Sequence, residues 1–134
     1  IVLGAPYLDK NNINKFNQKI NLHLGYLPDF KGCRTIEAAI LEKRFDKVGF
    51  TIHNLNSKLD GGSIIYSEKV DCLNQKSISS IYSLCFLEGF KKLIEIIPEI
   101  DTIKSTSNSK GKFYDFYFFN SKKYRQLLEM GYYP

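Results

Sequence analysis

From Ser79 to Ile97 the chain carries its strongest pattern. Tyr82, Phe86, Phe90, Leu93 and Ile97 recur at helical spacing along one side, while Glu88, Lys91, Lys92 and Glu95 make a polar stripe. The spacing predicts one long amphipathic helix that ends near Pro98, because proline cannot continue the hydrogen-bond ladder. A helix with one wide apolar face must bury it against another layer of structure. The remaining segments have to supply that layer.

Asp9 is placed to cap a helix through Ile13, Phe16, Ile20 and Leu24, closed by Gly25, with His23 near its end as a complement to the helix dipole. The stretch "YLPDFKGC" reads as loop. Branched and aromatic residues then predict three antiparallel strands, 35–43, 47–55 and 63–70, the last opening on a Gly-Gly turn. Beyond the long helix, "KSTSNSKGK" (104–112) is a polar loop, and "FYDFYFF" (113–119) predicts a strand covered on both faces. Asn120 can cap a last helix whose apolar face is Tyr124, Leu127 and Leu128 and which Gly131 closes. The order predicts a mixed α/β (α+β) domain over 1–134, with an antiparallel-rich central sheet flanked by helices.

Nineteen Lys and Arg against fourteen Asp and Glu give a net charge of +5, a sign that suits an anionic partner without choosing one. Cys33, Cys72 and Cys85 are odd in number and widely spaced, so neither a disulfide framework nor a C-x-x-C metal site can be written. No stretch reads as a membrane span or a signal peptide, and a reducing, cytoplasmic setting is expected.

Residues 35–132 resemble the GNAT superfamily of acyl-CoA-dependent N-acetyltransferases. The resemblance rests on the strands Ala38–Lys47, Val48–Leu55 and Ser63–Asp71, the last ending in Val70-Asp71, and on a closing segment in which Gly131 and Tyr132 follow Asn120 by eleven and twelve residues. It implies an acetyltransferase-like fold, acetyl-CoA as cofactor and a small-molecule or protein amine as acceptor. Val70, the run Gln75, Lys76, Ser77, Ile78, Ser79, Ser80, and Asn120 would line the cofactor, with the pyrophosphate at the start of the long helix. Glu68 or His53 would be the base and Tyr124 the acid. Ile78 stands where the family has a glycine, and Leu127 where it has its tyrosine, so a catalytically degenerate member also fits.

Two readings from other classes stand beside it. A basic RNA-binding or RNA-cleaving domain would use Lys, Tyr and the two histidines, with the run 113–119 as a stacking platform. A protein-interaction or inhibitor module would use a sheet edge, through which an oligomer could also form.

Overall fold

The computed structural model describes residues 1–3 and 10–134. Its elements in chain order are β1 (Val2–Leu3), α1 (Lys10–Ile13), β2 (Ile20–His23), β3 (Phe30–Gly32), α2 (Thr35–Leu41), β4 (Gly49–Asn54), β5 (Ile64–Lys69), α3 (Ile78–Ile96), β6 (Lys112–Tyr114) and α4 (Ser121–Glu129), with short 3-10 turns between some of them. Four strands form one sheet in the order β1-β2-β4-β5, and β3 and β6 pair separately. The β1–β2 and β3–β6 pairs are parallel and the other two are antiparallel. The fold is mixed α/β, as expected.

The first expected helix is largely replaced by sheet. Its cap, Asp9, lies outside the described residues; α1 is four residues long, and Ile20–His23 is drawn between β1 and β4. Alternation wins over helical spacing here because Ile20 and Leu22 reach the core from one face of the sheet. The strand expected at 35–43 is instead α2. Its Ala38, Ala39 and Ile40 are fully buried, and the helix packs on β3, α3 and α4, surroundings that favour small, straight helix formers. The expected strands 47–55 and 63–70 are present as β4 and β5.

The aromatic run leaves the sheet after Tyr114. Its partner β3 ends at Gly32 and the chain there turns into α2, so residues 116–118 have no backbone to pair with and close into a 3-10 turn. Tyr114 is buried and stacks on Phe30 at 5.4 Å, whereas Tyr117 is 85% exposed. The closing helix forms as read: the Asn120 side chain accepts the Lys123 N–H at 3.2 Å, and Gly131 adopts φ +82°.

The long helix is present and capped by Ser77, but it is turned relative to the expected face. Its buried residues are Ile78, Ile81, Cys85, Gly89 and Leu93, while Phe86 and Phe90 stack on one another at its flank. Gly89 sets this rotation, because a Cβ there would lie 2.7 Å from Leu22 Cδ1 and 3.0 Å from the Phe50 ring. The helix backbone therefore sits directly on β2 and β4, which is the cover its apolar face required. No described helix is long and apolar enough to cross a membrane, and all three cysteines are free.

Glycine in a helix interior ordinarily costs stability relative to larger residues. At position 89 the order reverses. Gly89→Val is expected to lower the urea unfolding free energy by about 2 kcal/mol or more through overpacking, and an unchanged or raised midpoint would refute the close-approach account.

Candidate active site

Strand β2 alternates between the core and a second face, and that second face carries Asn21 and His23. Antiparallel pairing sets Asn21 opposite His53 and His23 opposite Thr51. The β4–β5 register shifts between Ile52 and His53, an irregularity of the kind that re-aims a side chain. Between these strands the chain passes through Asp60, whose φ of 45° is left-handed. This turn brings the Asp60 carboxylate back over the two histidines.

The atoms are close. Asp60 Oδ2 is 3.6 Å from His23 Nδ1, and Asp60 Oδ1 is 3.6 Å from His53 Nε2. The Gly32 N–H donates to Asp60 Oδ2 at 2.8 Å. His23 Nε2 lies 3.0 Å from the Phe30 carbonyl, which can only accept, so that nitrogen carries the proton and Nδ1 presents a lone pair. His53 Nδ1 likewise donates to the Asn54 carbonyl at 2.8 Å, leaving Nε2 to accept from the Asn21 amide at 3.0 Å. The backbone thus fixes both tautomers, and the Asn21 amide with them.

Gly25 leaves room for the His23 ring: a Cβ there would come within 2.5 Å of His23 Nε2 and 2.6 Å of Thr35 Oγ1. Gly32 has φ +95°, and its Cβ would strike the Tyr114 carbonyl. Each glycine is required by a close approach rather than by flexibility.

Burial pushes the His23 imidazole below its ordinary value of 6.5, and the nearby Asp60 only partly offsets this. Burial also works against the Asp60 carboxylate, but His53 and His23, whose rings would pair with it once protonated, and the Gly32 N–H outweigh it and hold the carboxyl below its usual range. At neutral pH an uncharged imidazole therefore faces a carboxylate, acceptor to acceptor. That gap accommodates a donor N–H and can take up its proton.

The cluster opens into a cavity of about 350 Å³ lined by Asn21, His23, Gly32, Cys33, Asp60 and, at its rim, Leu3, Leu59, Arg34, Tyr82 and Phe86. The Tyr82 hydroxyl donates to Glu37 Oε2 at 2.5 Å, and Arg34 Nη1 donates to Glu37 Oε1 at 3.3 Å. Arg34 also lies over the Phe119 ring at 4.7 Å. Burial drives the Tyr82 hydroxyl far above its usual range, so it stays protonated as a donor.

Of the residues assigned to the acetyltransferase site, only His53 belongs to this cluster; His23, read as a complement to a helix dipole and as one of the two histidines of the RNA reading, lies in it too. Glu68 is on the exposed end of β5, where it accepts from the Tyr66 hydroxyl at 2.5 Å. Tyr124 lies on α4 beside a separate aromatic slot lined by Tyr132, Tyr133 and Phe119. Val70 is buried just beyond β5, and Asn120 serves as a helix cap. The run Gln75–Ser80 enters α3, where the Ile78 N–H donates to the Tyr133 carbonyl at 2.7 Å and the Ser80 N–H to Ser77 Oγ at 3.3 Å. Lys76 is over the Tyr132 ring at 4.8 Å. Asn21, His23 and Asp60 were missed as a site. The available signals were the alternation I-N-L-H-L over 20–24 and an aspartate directly before Gly61-Gly62.

Comparison with known proteins overturns the acetyltransferase resemblance. Residues 7–97 match the family model described as formyl transferase. Methionyl-tRNA formyltransferase of Sulfurihydrogenibium sp. (strain YO3AOP1) is 31% identical over 90 residues, covering 67% of this chain and 28% of that protein. That of Bacillus subtilis (strain 168) is 27% identical over 110 residues, 82% of this chain and 34% of that protein. The chain thus spans about a third or less of the length of these curated relatives. Among solved structures, the formyltransferase PseJ from Anoxybacillus kamchatkensis, in complex with UDP-4,6-dideoxy-4-formamido-L-AltNAc and tetrahydrofolate, superposes with a TM-score of 0.79 at 29% identity, covering 97% of this chain and 69% of that one. A 4-N formyltransferase from Francisella tularensis gives 0.74 at 23% identity, over 87% and 49%.

The GNAT superfamily assignment, acetyl transfer and acetyl-CoA are corrected accordingly. The first strand of that resemblance is helix α2, and β5 and β6 lie in different sheets, so the splayed strand pair of an acyl-CoA slot is not formed. At the helix start where a pyrophosphate was expected, the Tyr133 carbonyl and the Ser77 hydroxyl already take two N–H groups.

The His23 shift has a testable sign. Its folded value lies below 6.5, so as pH falls the unfolded chain binds the proton first; stability is full above about 6.5 and declines below it. Urea midpoints measured from about pH 8 to about pH 5 are expected to fall, and His23→Gln to flatten part of that fall. An identical slope in both proteins would contradict a buried neutral imidazole.

Proposed function

The chain belongs to the formyl transferase family, and on that premise we propose that it takes part in folate-dependent transfer of a formyl group to a primary amine. The observation that carries this reading is the pair of opposed acceptors, His23 Nδ1 and Asp60 Oδ2, 3.6 Å apart at the floor of the cavity. An attacking amine must lose a proton as its nitrogen becomes an amide, and two acceptors facing one another can hold and remove that proton.

We infer a formyl-tetrahydrofolate as the source of the group, with its formyl end at the Asn21, His23 and Asp60 side of the cavity. Tetrahydrofolate is bound in the PseJ structure, and 5-N-formyl-THF was present in that of the sugar 3N-formyl transferase WlaRD. When bound, the folate would supply a formyl carbon open to attack by the amine. Asp60 orients the amine and draws on its N–H, and His23 Nδ1 receives the proton because Nε2 is already committed to the Phe30 carbonyl. Protonated His23 then faces an ionised Asp60, an arrangement the carboxylate stabilises, and its Nδ1 proton would pass to the folate nitrogen as the bond from that nitrogen to the formyl carbon breaks. His53 holds the Asn21 amide by one N–H, and the second is available to negative charge on the formyl oxygen. Rim residues Leu3, Leu59 and Phe86 limit access of water.

For the acceptor, the 97% coverage by PseJ, with its nucleotide-linked sugar, supports the amine of a nucleotide-linked amino sugar. The net charge of +5 suits such an anion. The curated relatives favour a second acceptor, the aminoacyl amine of a charged tRNA.

The test is release of tetrahydrofolate from formyl-tetrahydrofolate in the presence of each acceptor. Transfer to an amino-sugar nucleotide is expected, with Asp60→Asn reducing kcat by roughly 10²-fold or more. No transfer to either acceptor, or an Asp60→Asn protein as active as the original, would sink the reading.

A further inference from the structure

We propose that Asn108 is a positioning residue for the Asp60 carboxylate, holding the turn from Asp60 to Gly62 in the conformation from which that carboxylate faces His23. Asn108 lies in the polar loop between α3 and β6, far from the cluster in sequence, yet it is only 6% exposed. Its Nδ2 donates to the Asp60 carbonyl at 2.7 Å and to the Gly62 carbonyl at 2.8 Å. Two carbonyls can be met only by the amide's N–H side, which fixes its orientation. The other end, Oδ1, is then buried without a hydrogen-bond partner. A buried acceptor left unpaired is costly, and here the cost goes with holding the turn.

The turn needs such a hold. Asp60 is left-handed at φ 45°, a region unfavourable for a residue with a side chain unless the surroundings enforce it. On one side the Gly32 N–H takes Oδ2, and on the other the Asn108 amide takes the backbone, so carboxylate and main chain are gripped independently. Asn108 is itself anchored. Thr106 exchanges two backbone hydrogen bonds with Ile64, at 2.9 and 2.8 Å, and Lys31 Nζ donates to the Asn108 carbonyl at 2.8 Å. The grip therefore transmits the position of the sheet to the carboxylate.

This role rests on the formyl-transfer reading for its effect on turnover, whereas its effect on His23 needs no substrate. The groups that face His23 are the Asp60 carboxylate, the His53 imidazole and the Phe30 carbonyl, with Arg34 and Tyr82 further out on the cavity wall. Asp60 favours the imidazolium, so a carboxylate released from its position lowers the pH at which His23 titrates.

The experiment is an NMR titration of the His23 imidazole in the intact protein and in Asn108→Ala, with kcat and KM measured alongside. The His23 midpoint is expected to fall, and kcat to drop roughly 10- to 100-fold with KM within about threefold. An unchanged His23 midpoint in a folded Asn108→Ala protein overturns the role, even if its thermal midpoint drops. If that variant does not fold, Asn108→Ser, which retains one donor, is expected to show a smaller shift in the same direction, and no shift overturns the role. If neither protein transfers formyl groups, the titration alone decides, and a shifted midpoint still supports the positioning.

Discussion

Strand β2 enters the sheet in one register, and the site follows from it. Pairing Asn21 with His53 and His23 with Thr51 turns Ile20 and Leu22 toward α3 and the polar residues toward the cavity. Because side chains alternate with period two, a slip of one residue would bury Asn21 and His23 in the core and expose Ile20 and Leu22. The apolar face that packs on Gly89 of α3 thereby also specifies the face that carries Asn21 and His23. The loop through Asp60 and the short β3–β6 sheet then close on that face through the Gly32 N–H and the Asn108 amide.

The cluster is held together without a strong internal pair. The 3.6 Å separations from Asp60 to both histidines are longer than hydrogen bonds, while the backbone contacts that orient the rings are 2.8 to 3.0 Å. Burial keeps His23 neutral although a carboxylate faces it. The ion pair forms only when a proton arrives, which places the stabilisation after proton uptake.

Much of the scaffold was legible where local chemistry and tertiary context agree. Ser77, Asn120 and Gly131 terminate helices near the expected positions, and β4 and β5 lie where branched and aromatic residues gather. The site was not legible, because Asn21 and His23 were read within a helix where the chain forms a strand. Ile13, Phe16, Ile20 and Leu24 satisfy helical spacing, and that pattern masked the alternation of 20–24 and turned His23 into a helix cap. Asp60 acquires its meaning only from Gly32 and Asn108, residues 28 and 48 positions away. No local window contains that relation. His53 was expected on a strand, as a base alternative to Glu68; it lies on β4, where its ring nitrogens are engaged by the Asn54 carbonyl and the Asn21 amide.

The walls of the cavity divide two tasks. His23, His53 and Asp60 are fixed by main-chain groups: the carbonyls of Phe30 and Asn54 and the N–H of Gly32. Side-chain replacements elsewhere leave those groups in place, Asn108 excepted, because its amide holds the Asp60 main chain. Arg34 and Tyr82 are instead fixed by one side chain, the Glu37 carboxylate, and Arg34 also by the Phe119 ring. Arg34 lines both the cavity and the aromatic slot beside Tyr132 and Tyr133. Loss of the Glu37 carboxylate would therefore release Arg34 and Tyr82 together while the Phe30 and Asn54 carbonyls and the Gly32 N–H still hold the two histidines and Asp60. The rim and the buried polar cluster hang from different parts of the chain.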